Sequence, residues 1–184
     1  MTFEEKVDQQ QTVYQGDLIQ VERQQVTLPD ATKAVREIVH HQAAVAVLMV
    51  TADQHLVLVK QWRAPANGVT LEIPAGKVEA GEMADQAAVR ELNEETRLKA
   101  THLKRVAGFY TSPGFTDEYM TLYVATGLSP VQTALPQDPD ELLRLVKLDL
   151  PTAITQVAAG KLVDAKTLMA VWYWQSHPTL GAEV

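Results

Sequence analysis

The sequence has no cysteine, which excludes a disulfide framework and thiolate zinc sites and fits a reducing cytoplasm. It has no long apolar run either: the most extended, residues 43–50, falls far short of the roughly 20 residues a membrane-spanning helix needs. The opening MTFEEKVDQQQ lacks a basic start followed by an apolar stretch, so it does not read as a secretory signal. Positive charge is in deficit, with 16 Lys and Arg against 23 Asp and Glu and a formal net charge of −7. Such a chain repels phosphate backbones generically, which argues against nucleic acid as a partner. A small anionic ligand would need local Arg and Lys, or a metal ion. Internal repeats and low-complexity segments are also missing. What is left is an ordinary globular composition, 46% hydrophobic over 184 residues, sufficient for one domain with or without a small appendage.

Residues 1–41 form a polar opening section. Residues 12–14, a turn at Gln15-Gly16-Asp17 and residues 18–28 read as a hairpin, Pro29-Asp30 breaks the chain, and residues 34–41 make a third short strand. Strands with so little apolar content are marginal alone, so they pack on the main domain or on another subunit. The run AAVAVLMV (43–50) has the continuous pattern of a strand buried on both faces. HLVLVKQW (55–62) completes a second hairpin, and VTLEI (69–73) ends at Pro74. Residues 83–96, free of Gly and Pro, predict a helix. Strands at 103–110 and 119–126 flank a Ser-Pro-Gly loop, a Pro- and Asp-bearing loop covers 129–140, and 142–150 is a further strand. Pro151 suits the first turn of a helix ending near Gly160. Asp164 caps a last helix to about Ser176, with Leu168, Val171, Trp172 and Gln175 on one face. Trp62, Trp172 and Trp174 read as packing residues. Strands with inserted helices argue for an α+β fold, a mixed sheet with helices packed against it, over a doubly wound one.

The chemistry concentrates in GKVEAGEMADQAAVRELNEETRL, residues 76–98. On one helix Glu91 and Glu95 share a face, and Glu94 lies on the adjoining stripe. Arg90 is spaced to pair with Glu94, which leaves Glu91 and Glu95 to face a hard cation together. Oxygen-only ligands select Mg²⁺ or Mn²⁺ over zinc. Glu82 joins through water or stabilises the positive end of the helix. The plain alternative for RELNEE is a solvated charged face. Gly76 and Gly81, framing the loop, and Leu92 and Leu98, supplying a core side, favour the metal site. His40 and His41 are adjacent on a strand, point to opposite faces, and do not make a metal pair.

This stretch resembles the Nudix box, with matches at Gly76, Glu82, Arg90, Glu91, Leu92, Glu94, Glu95 and Leu98. One position departs. Arg97 stands where the box carries a second Gly that ends the helix in a left-handed conformation, at a cost of roughly 1 kcal/mol for a residue with a side chain. LEIPAGKVEAGE (71–82), FYTSPGFTDE (109–118) and VDAKTLMAVWYW (163–174) are similar to the box entry, the following loop and the C-terminal helix of the ADP-ribose pyrophosphatase group.

The resemblance implies a Nudix fold in residues 42–184, an α/β/α sandwich around a mixed sheet. Before it comes an antiparallel β-section, residues 1–41, through which such enzymes pair as homodimers. It implies that the Ala75 carbonyl and the Glu91 and Glu95 carboxylates hold Mg²⁺, with Mn²⁺ as a substitute and Glu94 assisting. Arg63 and Arg36 would contact a nucleoside-diphosphate sugar, Glu72 would line the site, and Pro113 and Gly114 would shape the substrate loop. Arg90 and Glu94 belong to the catalytic group. The water-activating carboxylate would come from Asp138, Asp140 or Glu141, and Glu141, adjoining a strand, is favoured. The implied activity is hydrolysis of ADP-ribose to AMP and ribose 5-phosphate. The alternatives are another nucleotide sugar or a dinucleotide as substrate, or a non-catalytic ADP-ribose-binding regulator.

Overall fold

A computed structural model of the chain describes residues 2–137 and 142–182. It falls into two compact units, one of Met1–Ala43 with Phe109–Met120, the other of Ala44–Gly108 with Thr121–Val184.

In the first unit β1 (Lys6–Gln15), β2 (Ile19–Thr27) and β3 (Lys33–His41) form an antiparallel sheet in that order. The Gly16 N–H closes the first turn on the Ile19 carbonyl at 2.9 Å. The strand β1 extends far beyond the short segment predicted at 12–14. KVDQQQ shows no apolar alternation because every residue of β1 is exposed, and backbone pairing with β2 organises it, helped by Asp8, which accepts from Thr27 Oγ1 at 2.6 Å and Lys33 Nζ at 2.9 Å. The segment 109–120 binds to β3: Val39 N–H donates to the Phe115 carbonyl at 2.7 Å. His40 Nδ1 lies 2.6 Å from Asp117 Oδ2, and the His41 N–H donates to Asp117 Oδ1 at 2.9 Å. The two histidines therefore hold a loop.

The second unit contains β4 (Ala44–Met49), β5 (His55–Arg63), β6 (Gly68–Glu72), β7 (Ala75–Lys77), α1 (Ala84–Thr96), β8 (Leu98–Lys99), most of β9 (His102–Tyr110) and β10 (Tyr119–Thr126), β11 (Ser129–Pro130), β12 (Arg144–Asp149), α2 (Leu150–Ala158) and α3 (Ala165–Ser176). The sheets run β7-β4-β10-β9, β12-β5-β6 and β11-β8. All six residues of β4 are buried, as its unbroken apolar run predicts. Val45, Val47 and Met49 on one face of β4 share a core cluster with Ala87, Ala88 and Leu92 of α1. The helix α3 packs against β4 and β6, and α2 against β5 and β12. Strands thus lie between α1 and the pair α2, α3, the α/β/α layering expected from the sequence.

Local signals set the ends of the later helices. Asp149 Oδ1 accepts from the Thr152 N–H at 2.8 Å, with Pro151 in the first turn of α2, so the strand predicted over 142–150 is confined to β12. Two packing expectations are corrected. The buried stripe of α3 is Lys166, Thr167, Ala170, Val171 and Trp174, whereas Trp172 is exposed. The run LMAVWYW is apolar around most of the helix, so periodicity does not choose the stripe, and the polar anchors at its first turn do. Trp62 is 59% exposed, because it alternates with Gln61 and Arg63, which take the inner face of β5.

Candidate active site

The site forms where the chain leaves β6 and enters β7. Residues 73–75 are fixed from three directions: the Ile73 N–H donates to Thr167 Oγ1 of α3 at 2.9 Å, the Pro74 carbonyl accepts from Val47 N–H of β4 at 2.8 Å, and the Ala75 N–H donates to Glu95 Oε2 of α1 at 3.2 Å. Glu91 and Glu95 lie on the buried side of α1 with Ala88 and Leu92. The Glu91 carboxylate sits against Gly76, where an added Cβ would come 2.0 Å from Glu91 Oε1. Gly76 leaves that volume to the Glu91 carboxylate, which would have to shift if a Cβ were present. Gly81 is demanded by backbone conformation, with φ of 83°.

Arg90 gathers the acidic groups. Its Nε donates to Glu82 Oε1 at 3.0 Å, its Nη1 to Glu91 Oε1 at 2.7 Å and Glu94 Oε2 at 2.8 Å, and its Nη2 to Glu82 Oε2 at 3.1 Å and the Lys77 carbonyl at 2.9 Å. The predicted Arg90–Glu94 pair is present. The expectation that Arg90 leaves Glu91 to a cation is corrected, because the guanidinium binds Glu91 as well. Hydrogen bonds with Glu82, then Glu91 and Glu94, raise the Arg90 pKa against its partial burial. The same bond to Arg90 lowers that of Glu82.

The helix ends where the motif requires, in spite of Arg97. Arg97 adopts φ 62° and ψ 23°, and its N–H donates to the Asn93 carbonyl at 2.9 Å. Its guanidinium donates to the Leu135 carbonyl, its own carbonyl accepts from Val131 N–H at 3.0 Å, and Asn93 Oδ1 accepts from Leu135 N–H at 3.1 Å. A net hydrogen bond contributes about 0.5–1.5 kcal/mol, the same size as the roughly 1 kcal/mol conformational penalty.

The donor set fits a hard divalent cation. Glu91 and Glu95 offer carboxylate oxygen only, beside backbone that carries no side chain at Gly76. Among the described residues no three acidic or histidine side chains converge on one point, since Arg90 draws Glu82, Glu91 and Glu94 to itself. Such a site completes its shell with water or substrate oxygen, as Mg²⁺ does by preference. The predicted bases Asp138, Asp140 and Glu141 lie outside the described residues.

A second charge cluster sits beside this one. Glu72, 2% exposed, receives Arg63 in a two-point contact, Nε to Oε1 and Nη2 to Oε2, both at 2.8 Å. Thr70 Oγ1 donates to Oε1 at 2.7 Å, and Lys166 Nζ donates to Oε2 at 2.5 Å. Burial pushes the Glu72 pKa up, but the Arg63 bonds and the Lys166 charge outweigh it and hold the group at about 2. The hydrogen bonds to Glu72 raise the Arg63 pKa against its partial burial, with the charge of Glu72 adding to them. Arg63 and Glu72, both predicted site residues, are thus brought together. Lys166 was not predicted, for a lysine in the first turn of a helix reads as a solvated surface residue. Arg36, in the first unit, is held by Glu5 through Nε at 3.0 Å and Nη2 at 2.6 Å. Pro113 and Gly114 belong to the same unit, and the space over Gly114 is open.

Comparison with known proteins fits this geometry. The NUDIX domain profile matches residues 40–168. The methanol dehydrogenase activator of Bacillus methanolicus is 39% identical over 178 residues, covering 97% of this chain and 96% of that protein. The ADP-ribose pyrophosphatase of Bacillus subtilis (strain 168) is 38% identical over 182 residues, covering 99% and 98%. A solved structure of an ADP compounds hydrolase superposes with a TM-score of 0.84 over 98% of this chain and 97% of its own, at 22% identity, and so shares the fold.

Two outcomes follow for stability. Gly76→Ala drives a methyl group into the Glu91 carboxylate and lowers unfolding free energy by about 1–3 kcal/mol in urea titration, the range for overpacking. The Glu72 pKa lies below its ordinary 4.5, so its contribution is complete above that value and fades as pH falls towards 2. Glu72→Gln leaves Arg63 facing no carboxylate and Lys166 with Asp164 alone, and costs about 1–3 kcal/mol at neutral pH. Urea titrations along a pH series should show the gap to wild type closing as pH approaches 2.

Proposed function

The chain belongs to the Nudix family, and on that premise we propose that it hydrolyses the pyrophosphate of ADP-ribose, giving AMP and ribose 5-phosphate, with Mg²⁺ as the working ion. The family works with divalent cations, and the choice of Mg²⁺ rests on the oxygen-only donors. The carrying observation is the junction at residues 72–75, where Glu72 holds Arg63 in a two-point contact and the Ala75 N–H donates to Glu95 Oε2 at 3.2 Å, which supports a cation for the diphosphate close to carboxylates for a metal. The substrate assignment takes its support from the B. subtilis enzyme, which aligns with the chain almost end to end.

Glu91, Glu95 and the Ala75 carbonyl would hold the ion, with Glu94 assisting. When bound it screens the diphosphate and acidifies water. Arg63 binds the diphosphate, and Glu72 fixes the plane of its guanidinium. Arg90 holds Glu82, Glu91 and Glu94 in register before substrate arrives, so that little reorganisation remains for the reaction itself. Water adds to one phosphorus, the bridging P–O bond breaks, and Glu141 takes the proton. Residues 1–41 serve as the surface of a homodimer, supported by the exposure of β1 along its whole length. A cytoplasmic enzyme fits the absence of cysteine, and among the described residues no helix is long and apolar enough to cross a membrane.

A second reading keeps the chemistry and changes the substrate. The B. methanolicus relative, of similar identity, carries the name of a dehydrogenase activator, and dinucleotide cofactors contain the same pyrophosphate. A panel of ADP-ribose, GDP-mannose, NADH and diadenosine polyphosphates separates the two. We expect the highest kcat/KM with ADP-ribose and complete loss in EDTA. Glu95→Gln should lower kcat at least about a hundredfold, and Glu141→Gln about 10²–10⁴-fold with little change in substrate Kd. Clear preference for another member of the panel moves the assignment to the second reading, and hydrolysis that survives EDTA rejects the metal site. Light scattering that gives a 20.3 kDa monomer at micromolar concentration rejects the dimer.

A further inference from the structure

Arg63 and Lys166 end on the same carboxylate, and only one of them faces outward. The Arg63 side chain is 43% exposed, against 9% for Lys166 and 3% for Glu72. An arginine clamped on one carboxylate forms a pair without net charge, and any further carboxylate behind it turns the receptor for a diphosphate negative. Lys166 brings a second cation to Glu72. Lys166 in turn meets Asp164 Oδ1 at 2.9 Å, while Asp164 Oδ2 accepts from the Thr167 N–H at 3.0 Å and hydroxyl at 2.6 Å. Asp164 is thereby tied to the first turn of α3. The charges of Arg63, Glu72, Lys166 and Asp164 cancel as a set, and the exposed member of the set is the cation. Removal of the Lys166 charge would leave two carboxylates behind one guanidinium. The cluster would then repel the anion that Arg63 has to attract.

We infer that Lys166 is a positioning residue for diphosphate recognition: it offsets the second carboxylate of the cluster, so that Glu72 orients Arg63 with no net negative charge standing behind the guanidinium. This rests on the reading of Arg63 given above. A lysine that served only to fasten α3 to β6 would act on stability and on all kinetic constants together. One that serves Arg63 acts on substrate affinity, through the guanidinium, and its charge is replaceable by another cation.

The test uses Lys166→Met, Lys166→Arg, Arg63→Ala and the double variant Arg63→Ala/Lys166→Met, with ADP-ribose as substrate and calorimetric binding of ADP as a readout independent of turnover. Lys166→Met should raise KM about tenfold with kcat within about threefold, the signature of lost ground-state binding, and ADP Kd should rise with it. Lys166→Arg should stay near wild type. In the Arg63→Ala background Lys166→Met should add nothing to KM or Kd, since residues acting through one another are not additive. If Lys166→Met melts below the assay temperature, Lys166→Gln, also uncharged, carries the same expectation. A raised KM in Arg63→Ala with wild-type KM and Kd in Lys166→Met overturns the inference alone, as do additive effects in the double variant. Wild-type KM and Kd in Arg63→Ala overturn the role of Arg63 and the inference together. If wild type leaves ADP-ribose intact, the substrate reading fails, and the ADP Kd values still decide what Lys166 does.

Discussion

Like charges crowded on one helix face repel, and the guanidinium of Arg90 is what makes the glutamates of α1 tolerable to each other. Each of its three nitrogens is engaged, with Glu82 before the helix, Glu91 and Glu94 on it, and the Lys77 carbonyl at the end of β7. Only a planar fork with five N–H groups reaches that many acceptors in fixed directions, and a lysine ammonium would not. The contact also joins sequence-distant parts, because it binds the loop before the helix to the helix itself. Gly76 completes the arrangement by leaving its side-chain volume to Glu91.

The neighbouring cluster inverts the same logic. There the central group is a carboxylate, Glu72, and the surrounding groups are cations from β5 and α3. A carboxylate so buried is tolerated only when it is paired and hydrogen-bonded, and Arg63, Lys166 and Thr70 provide both. The same first turn of α3 supplies Thr167 to the Ile73 N–H. The C-terminal helix is therefore part of the site, through two polar side chains that it buries against β6.

Much of this was legible in the sequence. The apolar run of β4 and the Gly- and Pro-free stretch of α1 are strong local signals, and the spacing of Arg90, Glu91, Glu94 and Glu95 places their side chains on adjoining stripes whatever the tertiary context. Residues whose role depends on a distant partner were not legible. Lys6–Gln11 gave no strand signal because β1 buries nothing. Trp62 looked like core because aromatic residues usually are, and the alternation of β5 placed it outside. Lys166 was silent because its partner Glu72 lies 94 residues earlier in the chain. Arg97 looked like a defect in the motif, since the loop groups that compensate it come from residues 131–135 and nothing in the local sequence announces them.

That substitution has a mechanical consequence. A glycine would end α1 as well and would keep the backbone bond to Val131 and the Asn93 bond to Leu135, but would give up the side-chain tie to the Leu135 carbonyl. Arg97 stitches the following loop, at Val131 and Leu135, to the helix that carries Glu91 and Glu95. The other end of the stretch is sewn into β12, whose Arg144 pairs with Lys60. Val131 and Leu135 cannot leave their places without loosening the last turn of α1, so this part of the loop and the helix end open as one unit.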